Sequence, residues 1–275
     1  MTLIAILTGT MAAGIGSVWL AALLSFGMLA RYTTHMLSLA AGALLATAFM
    51  HLLPEAFESQ ASVQELFATL LVGLVFFFLL DKAELWHHGH EHHAAEHPDS
   101  RDLHYRSHDH HPHNHNHNHN HSHGSKTGGW AILAGDSVHA FGDGILIASA
   151  FMADIRLGFV AALAVLVHEV PHHMGDLMVL RAGSGNRRAA IVKVSMAGAT
   201  TAIGGVAGFW LVERLQDYLP YFLVAASSSF VYVALADLIP QLQTRLGARQ
   251  TAAQIAWLLL GIALVTSVSQ LTHAR

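Results

Sequence analysis

Long apolar stretches separated by short polar connections run through the whole chain. A helix that crosses a membrane needs about 20 mostly apolar residues, and eight stretches reach that length. They lie at roughly 3–29, 36–54, 63–83, 129–152, 157–181, 190–212, 219–240 and 252–271. The pattern predicts an all-α integral membrane protein with eight transmembrane helices.

The first apolar stretch predicts a helix that stays in the protein. A cleaved signal peptide has a basic start and an apolar core of about 7–15 residues. This stretch is longer, and no Lys or Arg precedes Arg31. We therefore expect it to be a retained membrane helix.

The distribution of Lys and Arg predicts the orientation of the helices, because cytoplasmic loops are enriched in both residues. If both termini lie outside, eleven of the 14 basic residues fall on the cytoplasmic side. Only Arg156, Arg214 and Arg275 then fall on the outer side. The short loops are typical of a bacterial inner membrane, which is the location that we expect.

The composition excludes several classes of function. Only 12% of the residues are charged, against about 25% in average soluble domains, so a soluble globular enzyme fits poorly. The chain has no cysteine, which excludes disulfides, thiolate metal sites and cysteine nucleophiles. Its formal net charge of −4 offers no basic surface to a nucleic acid.

Residues 84–128 form a polar region between the third and fourth apolar stretches. Of the 23 histidines in the chain, 16 lie between His87 and His123. This repetitive sequence cannot bury a core, so we expect a disordered cytoplasmic loop. Imidazoles in series bind metals at changing subsets, which predicts weak metal buffering or sensing. A polar linker produced by repeat slippage is the alternative.

The chain thus divides into 1–83, 84–128, 129–181 and 182–275.

Ionisable residues inside membrane spans are costly and usually functional, and here they concentrate in the fourth and fifth stretches. His139 and Asp143 are four residues apart and share a helix face, as do His168 and His172. Both pairs lie on the order of 15–20 Å from the tip of the hairpin that joins the stretches. Three imidazoles and one carboxylate can surround a divalent ion such as Zn²⁺. Interhelical hydrogen bonds between buried polar groups are the alternative.

These residues resemble the ZIP (Zrt/Irt-like protein) family of divalent metal transporters. HEVPHHMGD at 168–176 follows the family pattern H-E-x-P-H-E-x-G-D, and HAFGDG at 139–144 follows H-N-x-P-D-G more loosely. HLLPEA at 51–56 also matches. The resemblance implies eight helices in a 3+2+3 arrangement, both termini outside, a His-rich inner loop and metal movement toward the cytoplasm.

The resemblance also implies the metal ligands by position. It places His139, Asp143, His168 and His172 at a primary site. Glu169 falls at an adjacent second site that shares Asp143 and His172. The expected cargo is Zn²⁺, and Fe²⁺, Mn²⁺, Cd²⁺ and Co²⁺ are compatible with the same ligands. The expected partners are the metal ion and the lipid bilayer, and a homodimer is compatible with the sequence.

The chain departs from the family pattern at several positions. Ala140 stands where the family has Asn, Gly142 replaces Pro, and His173 replaces Glu. Gln241 is neutral at a position that is often acidic in the family. We therefore expect a weakened or absent second site, for which His173 compensates at most in part.

Further polar residues predict a path to and from the site. His51 and Glu55 end the second stretch on the outer side, where they would receive the ion. Asp136 and Asp176 lie toward the cytoplasmic halves of their helices, where they would line the exit. Each of the four is also compatible with an ordinary polar role.

Two short motifs predict an inverted repeat. The second stretch ends with HLLPE at 51–55 on the outer side, and the seventh ends with DLIPQ at 237–241 on the inner side. Similar motifs at opposite faces are expected of the inverted repeats found in many secondary transporters, and they add Asp237 to the candidate path. Chance similarity is the alternative.

An intramembrane metalloprotease is the enzyme alternative, because HEVPH at 168–172 is also an H-E-x-x-H zinc motif. Glu169 would be the base and Asp143 the third ligand. Against this, Pro171 distorts the helix, and the Asp-Gly element precedes the motif, whereas in membrane proteases it follows. His139 would also occupy the coordination position that water needs.

A zinc exporter of the cation diffusion facilitator type is the second alternative. Such proteins carry His-rich loops and H-x-x-x-D pairs like the one formed by His139 and Asp143. They resemble six-helix proteins with a soluble C-terminal domain. This chain ends shortly after its last apolar stretch, so we expect no such domain.

Overall fold

The protein is helical throughout the part of the chain that a computed structural model describes, residues 1–25, 33–89, 128–184, 186–242 and 247–273. Its α-helices are α1 (Thr2–Met11), α2 (Ser17–Ser25), α3 (Thr33–Thr47), α4 (Leu53–Phe57), α5 (Val63–Gly89), α6 (Gly128–Ala153), α7 (Ile155–Ser184), α8 (Arg187–Arg214), α9 (Leu219–Tyr232), α10 (Ile239–Leu242) and α11 (Ala248–His273). This confirms the all-α prediction.

Seven helical segments of the described chain are long and apolar enough to cross a membrane. They are Thr2–Leu24, Thr34–Phe57, Val63–Leu80, Ile155–Met178, Arg187–Arg214, Gln216–Ala236 and Ala248–Gln270. The fourth predicted span forms helix α6, which carries Asp136, His139 and Asp143 and is not one of these seven. The predicted total of eight spans therefore stays a prediction. Most of the His-rich region, residues 90–127, lies outside the described residues.

Helix α7 is central in the bundle, whereas α5 and α11 are peripheral. In the spans that contain α3 and α7, 61% of the residues are buried, against 6% for α5 and 11% for α11. The exposed residues of α5 and α11 are largely apolar, such as Leu71, Val72 and Leu259. This distribution is expected when the outer helices face lipid and the polar residues face the bundle interior.

Helices α6 and α8 approach each other at the level of their backbones. A Cβ atom on Gly144 would collide with the carbonyl oxygen of Thr201, and one on Gly204 would collide with that of Phe141. Small residues permit such close packing between membrane helices. The contact fixes α6, and with it the ionisable residues that α6 carries.

The described part of the chain contains three π-helical turns, and two of them precede a proline. Ala48–Leu52 lies directly before Leu53-Pro54, and Val233–Leu238 lies directly before Ile239-Pro240. Proline cannot donate the i→i−4 hydrogen bond, and π-helical turns are frequent at functional sites. The turn Ala48–Leu52 packs against α9, and the turn Val233–Leu238 packs against α3. This reciprocal packing is what a local two-fold relation between the two segments would produce.

The close contact between α6 and α8 predicts that Gly144→Ala destabilises the fold. The added methyl group meets a backbone carbonyl, so the helices must separate, at a cost of about 1–3 kcal/mol. Gly142→Ala is the matched control, because a Cβ atom there has open space around it. Thermal unfolding of the purified protein in detergent should show a lower Tm for Gly144→Ala alone. Equal Tm values for the two variants would contradict the close contact.

Candidate metal site

The candidate site lies between α6 and α7, which run antiparallel and are joined by a tight turn at Asp154. The Asp154 carboxylate caps α7, because its Oδ1 accepts hydrogen bonds from the backbone N–H groups of Arg156 (2.8 Å) and Leu157 (3.3 Å). The cap fixes where α7 begins and so sets the depth of its histidines against α6.

Four side chains bring their ligand atoms together in a group that we call the first group. It consists of His139 and Asp143 from α6 and of His168 and Glu169 from α7, with all ligand atoms within 4.8 Å of one another. His168 Nε2 lies 3.0 Å from Glu169 Oε1 and 3.4 Å from Asp143 Oδ2. His139 Nε2 lies 3.6 Å and 3.7 Å from the same two oxygens.

The contact of His168 Nδ1, the ring nitrogen that does not face the first group, fixes the orientation of the ring. Nδ1 lies 3.3 Å from the carbonyl oxygen of Ala164, one turn earlier in α7. A carbonyl oxygen only accepts, so Nδ1 carries the hydrogen and Nε2 presents a lone pair to the two carboxylates in the neutral ring. Metal-binding histidines commonly donate their second nitrogen to a backbone carbonyl in this way.

The charges of the first group require a cation. Asp143 and Glu169 are almost completely buried, and burial of a carboxylate is costly without compensation. Among the described residues, their ion-pair partners are imidazoles. Either a proton on an imidazole or a bound metal ion must therefore balance the charge of the carboxylates. Binding of a metal ion releases such protons. Two imidazoles and two carboxylates are a ligand set that suits Zn²⁺.

Two further groups lie on the side of the first group that faces the start of α6 and the end of α7. One consists of Asp136, His172 and Asp176, and the other consists of Asp136, Glu169 and His173. His172 Nε2 lies 3.3 Å from Asp136 Oδ1 and 3.9 Å from Asp176 Oδ2. Asp136 belongs to both groups, so they are continuous with each other.

The structure brings together three of the four residues expected at the primary site, His139, Asp143 and His168, and adds Glu169 to them. His172 lies in the neighbouring group instead. Because α6 and α7 are antiparallel, one further turn along α7 corresponds to a position nearer the start of α6, where Asp136 lies. Glu169 thus completes the first group in place of His172.

The residues predicted to line the path of the ion lie outside the first group. Asp136 and Asp176 join His172, as described. His51 lies in the π-helical turn Ala48–Leu52, with Nδ1 3.5 Å from Ser269 Oγ, and Glu55 follows in α4 at the surface. Neither belongs to a metal-binding group among the described residues. Asp237 lies in the π-helical turn Val233–Leu238. The outer path stays a prediction.

The H-E-x-x-H alternative is not favoured by this geometry. A zincin motif needs both histidines on one ion, with the glutamate free to act on water. Here His168 and His172 direct Nε2 into different groups, and Glu169 lies among the candidate ligands. The arrangement is that of a cation-binding cluster that continues along the helix pair.

Comparison with known proteins gives matches along most of the chain. The family model described as ZIP Zinc transporter matches residues 1–269. A similar protein is the zinc transporter ZIP13 of Pongo abelii, 26% identical over 253 residues, which cover 85% of this chain and 66% of that protein. The zinc transporter ZIP13 of Danio rerio is 32% identical over 151 residues, which cover 52% and 42%. The zinc transporter foi of Drosophila melanogaster is 32% identical over 141 residues, which cover 51% and 20%. The chain thus spans less than two thirds of the length of each.

The first group predicts that Asp143→Asn weakens metal binding. The amide keeps the shape of the carboxylate but removes its charge, so the affinity for Cd²⁺ should fall about 10-fold or more. Asp217→Asn is the control, since Asp217 is exposed between α8 and α9 and belongs to none of the three groups. Isothermal titration of the purified variants measures the effect, and the His-rich region is the same in both. An unchanged affinity in Asp143→Asn would exclude that carboxylate as a ligand.

Proposed function

Since the chain belongs to the ZIP zinc transporter family, we propose that it moves a divalent metal ion, Zn²⁺ in the first place, across a membrane into the cytoplasm. The members of this family are transporters and not enzymes, in agreement with the sequence analysis. The observation that carries the proposal is the first group, in which two imidazoles and two buried carboxylates converge between α6 and α7.

The three groups supply consecutive binding positions for the ion. It binds first to His139, Asp143, His168 and Glu169, and it then passes to Asp136, His172 and Asp176. Glu169 of the first group and Asp136 of the second group hold the ion during the transfer between the two groups. The basic residues Arg187, Arg188 and Lys193 follow α7 in the sequence, which makes this end of α7 the cytoplasmic end. Transport toward the cytoplasm, as proposed, moves the ion through the groups in this order.

The outer path begins at His51 and Glu55, and Asp237 is the corresponding residue of the seventh stretch. The reciprocal packing of the two π-helical turns supports an inverted repeat, in which these residues lie at opposite ends of the path. The full arrangement is eight spans in a 3+2+3 order with both termini outside, in a bacterial inner membrane.

The ligand set favours Zn²⁺ without excluding other cargo. Imidazole and carboxylate ligands also accept Fe²⁺, Mn²⁺, Co²⁺ and Cd²⁺. Uptake assays in which these ions compete with Zn²⁺ would rank them as transported ions.

The proposal predicts that His168→Ala strongly reduces uptake. Removing the imidazole leaves His139 as the only imidazole of the first group, and ⁶⁵Zn²⁺ uptake into cells should fall about 10-fold or more at equal protein amounts. His35→Ala is the control, because His35 stacks against Trp257 on α11 with 5.8 Å between ring centroids and belongs to none of the three groups. Uptake close to wild type in His168→Ala would remove the first group from the mechanism. Loss of cellular zinc on expression would instead indicate an exporter.

Deletion of residues 87–123 should change the rate or the regulation of transport without abolishing it. The histidines of this segment buffer metal outside the helical path, so the path stays intact without them. Uptake as a function of external Zn²⁺ concentration measures the effect. Complete loss of uptake with normal expression would contradict the buffering role.

A further inference from the structure

Helix α8 has two faces of different chemistry. Its buried face consists of Gly, Ala, Thr and Val residues and packs against α1 and α6. The opposite face carries large apolar side chains that are 54–66% exposed, namely Val192, Met196, Ile203 and Trp210. At about 100° per residue, these four and Arg188 fall within a sector about 80° wide. We call these five residues the lipid face of α8, because a large exposed apolar stripe marks a surface that contacts a membrane or a partner.

The two ends of the lipid face match the two surfaces of a bilayer. Arg188 and Trp210 are 22 residues apart, which is about 33 Å along a helix, and the hydrocarbon core of a bilayer is about 30 Å thick. Tryptophan is enriched at the membrane–water interface. Arg188 is exposed at the other end of the stripe. Its guanidinium therefore lies at the level of the lipid headgroups.

The end of the protein at which α7 ends and α8 begins carries an excess of positive charge. From residue 177 to residue 212 the sequence contains no Asp or Glu and four basic residues, Arg181, Arg187, Arg188 and Lys193. The three arginines are exposed and lie within one turn of the ends of their helices. A guanidinium group binds phosphate through two parallel hydrogen bonds. This end of the protein is therefore complementary to a phosphate group.

The side chains, and not the backbone, provide the positive charge at the start of α8. Oδ1 of Asn186 accepts hydrogen bonds from the backbone N–H groups of Arg188 (3.0 Å) and Ala189 (3.3 Å). These N–H groups are thus already used by the helix cap. The cap also fixes where α8 begins, and so it places Arg188 one turn before Val192 on the same face.

We propose that the lipid face of α8 binds an anionic phospholipid, whose phosphate contacts Arg188 and whose acyl chains lie along Val192 and Met196. Met196 is eight residues from Arg188, about 12 Å along the helix, and one leaflet is about 15 Å deep. Arg181 and Arg187 lie at the same level and add to the attraction, since each basic residue near an anionic leaflet strengthens binding. The inference goes beyond the proposed function and holds whichever ion the protein carries.

Native mass spectrometry of the full-length protein in detergent tests the lipid site. The probes are phosphatidylglycerol and phosphatidylcholine with identical acyl chains, so that only the charge of the headgroup differs. We expect wild type to bind phosphatidylglycerol about 5-fold more tightly, and Arg188→Gln to lose about 5-fold in affinity for phosphatidylglycerol alone. Arg188→Lys keeps the charge and should keep most of the preference.

Arg214→Gln is the matched control, because it removes the same charge from the opposite end of α8. Arg214 is also exposed, but Glu213 and Asp217 lie within three residues of it in the sequence and offset its charge. This variant should bind phosphatidylglycerol as wild type does. Size-exclusion profiles and melting temperatures confirm that each variant is folded.

The contrary outcomes identify other occupants of this face. Equal affinity of wild type for the two lipids would overturn the proposal and show that the face contacts acyl chains without selecting a headgroup. Equal losses in Arg188→Gln and Arg214→Gln would overturn it too, since net charge and not position would then set the affinity. Displacement of the lipid by inorganic phosphate would show that a free anion is the ligand, and dimers in place of lipid adducts would show that a second copy covers the face.

This inference and the proposed function fail separately. The lipid measurements use no metal ion, so loss of ⁶⁵Zn²⁺ uptake in His168→Ala neither supports nor contradicts them. Absence of a lipid preference would in turn leave the first group and its role in transport as they are.

Discussion

Three carboxylates, those of Asp136, Asp143 and Glu169, are almost completely buried between α6 and α7, and their charge must be balanced there. An unpaired carboxylate in a low-dielectric interior costs several kcal/mol. In their neutral form His168 and His173 do not donate to these carboxylates, because each uses Nδ1–H on an oxygen of the scaffold. A divalent cation satisfies both the carboxylates and the imidazole lone pairs. Metal binding is thus inferred from the hydrogen-bond pattern and not from the number of histidines.

The scaffold around the cluster holds these groups at fixed positions. Gly144 and Gly204 let the backbones of α6 and α8 touch, and Asp154 fixes the start of α7. Ser17 connects α2 to the far side of the cluster. The ligands of one ion therefore come from helices whose relative positions are set by separate contacts. Movement of the α6–α7 pair against its neighbours would carry the whole ligand set together.

Much of the fold and part of the site could be predicted from the sequence, because the relevant signals are local. Long apolar stretches predict helices, and the spacing of four residues places His139 with Asp143 on one face of α6. The exchange of His172 for Glu169 in the first group depends on the register of two antiparallel helices, which local spacing does not define. The contact between His173 and Ser17 joins residues 156 apart, and no motif marks the serine. The π-helical turns depend on how prolines are accommodated within the bundle.

Anomalous X-ray diffraction at the zinc absorption edge, on crystals of the full-length protein grown with Zn²⁺, tests the central claim most directly. The account predicts an anomalous peak between α6 and α7, with ligand atoms of His139, Asp143, His168 and Glu169 about 2.0–2.2 Å from it. A map in which these four side chains contact only one another, with zinc bound solely outside the helices, would contradict it.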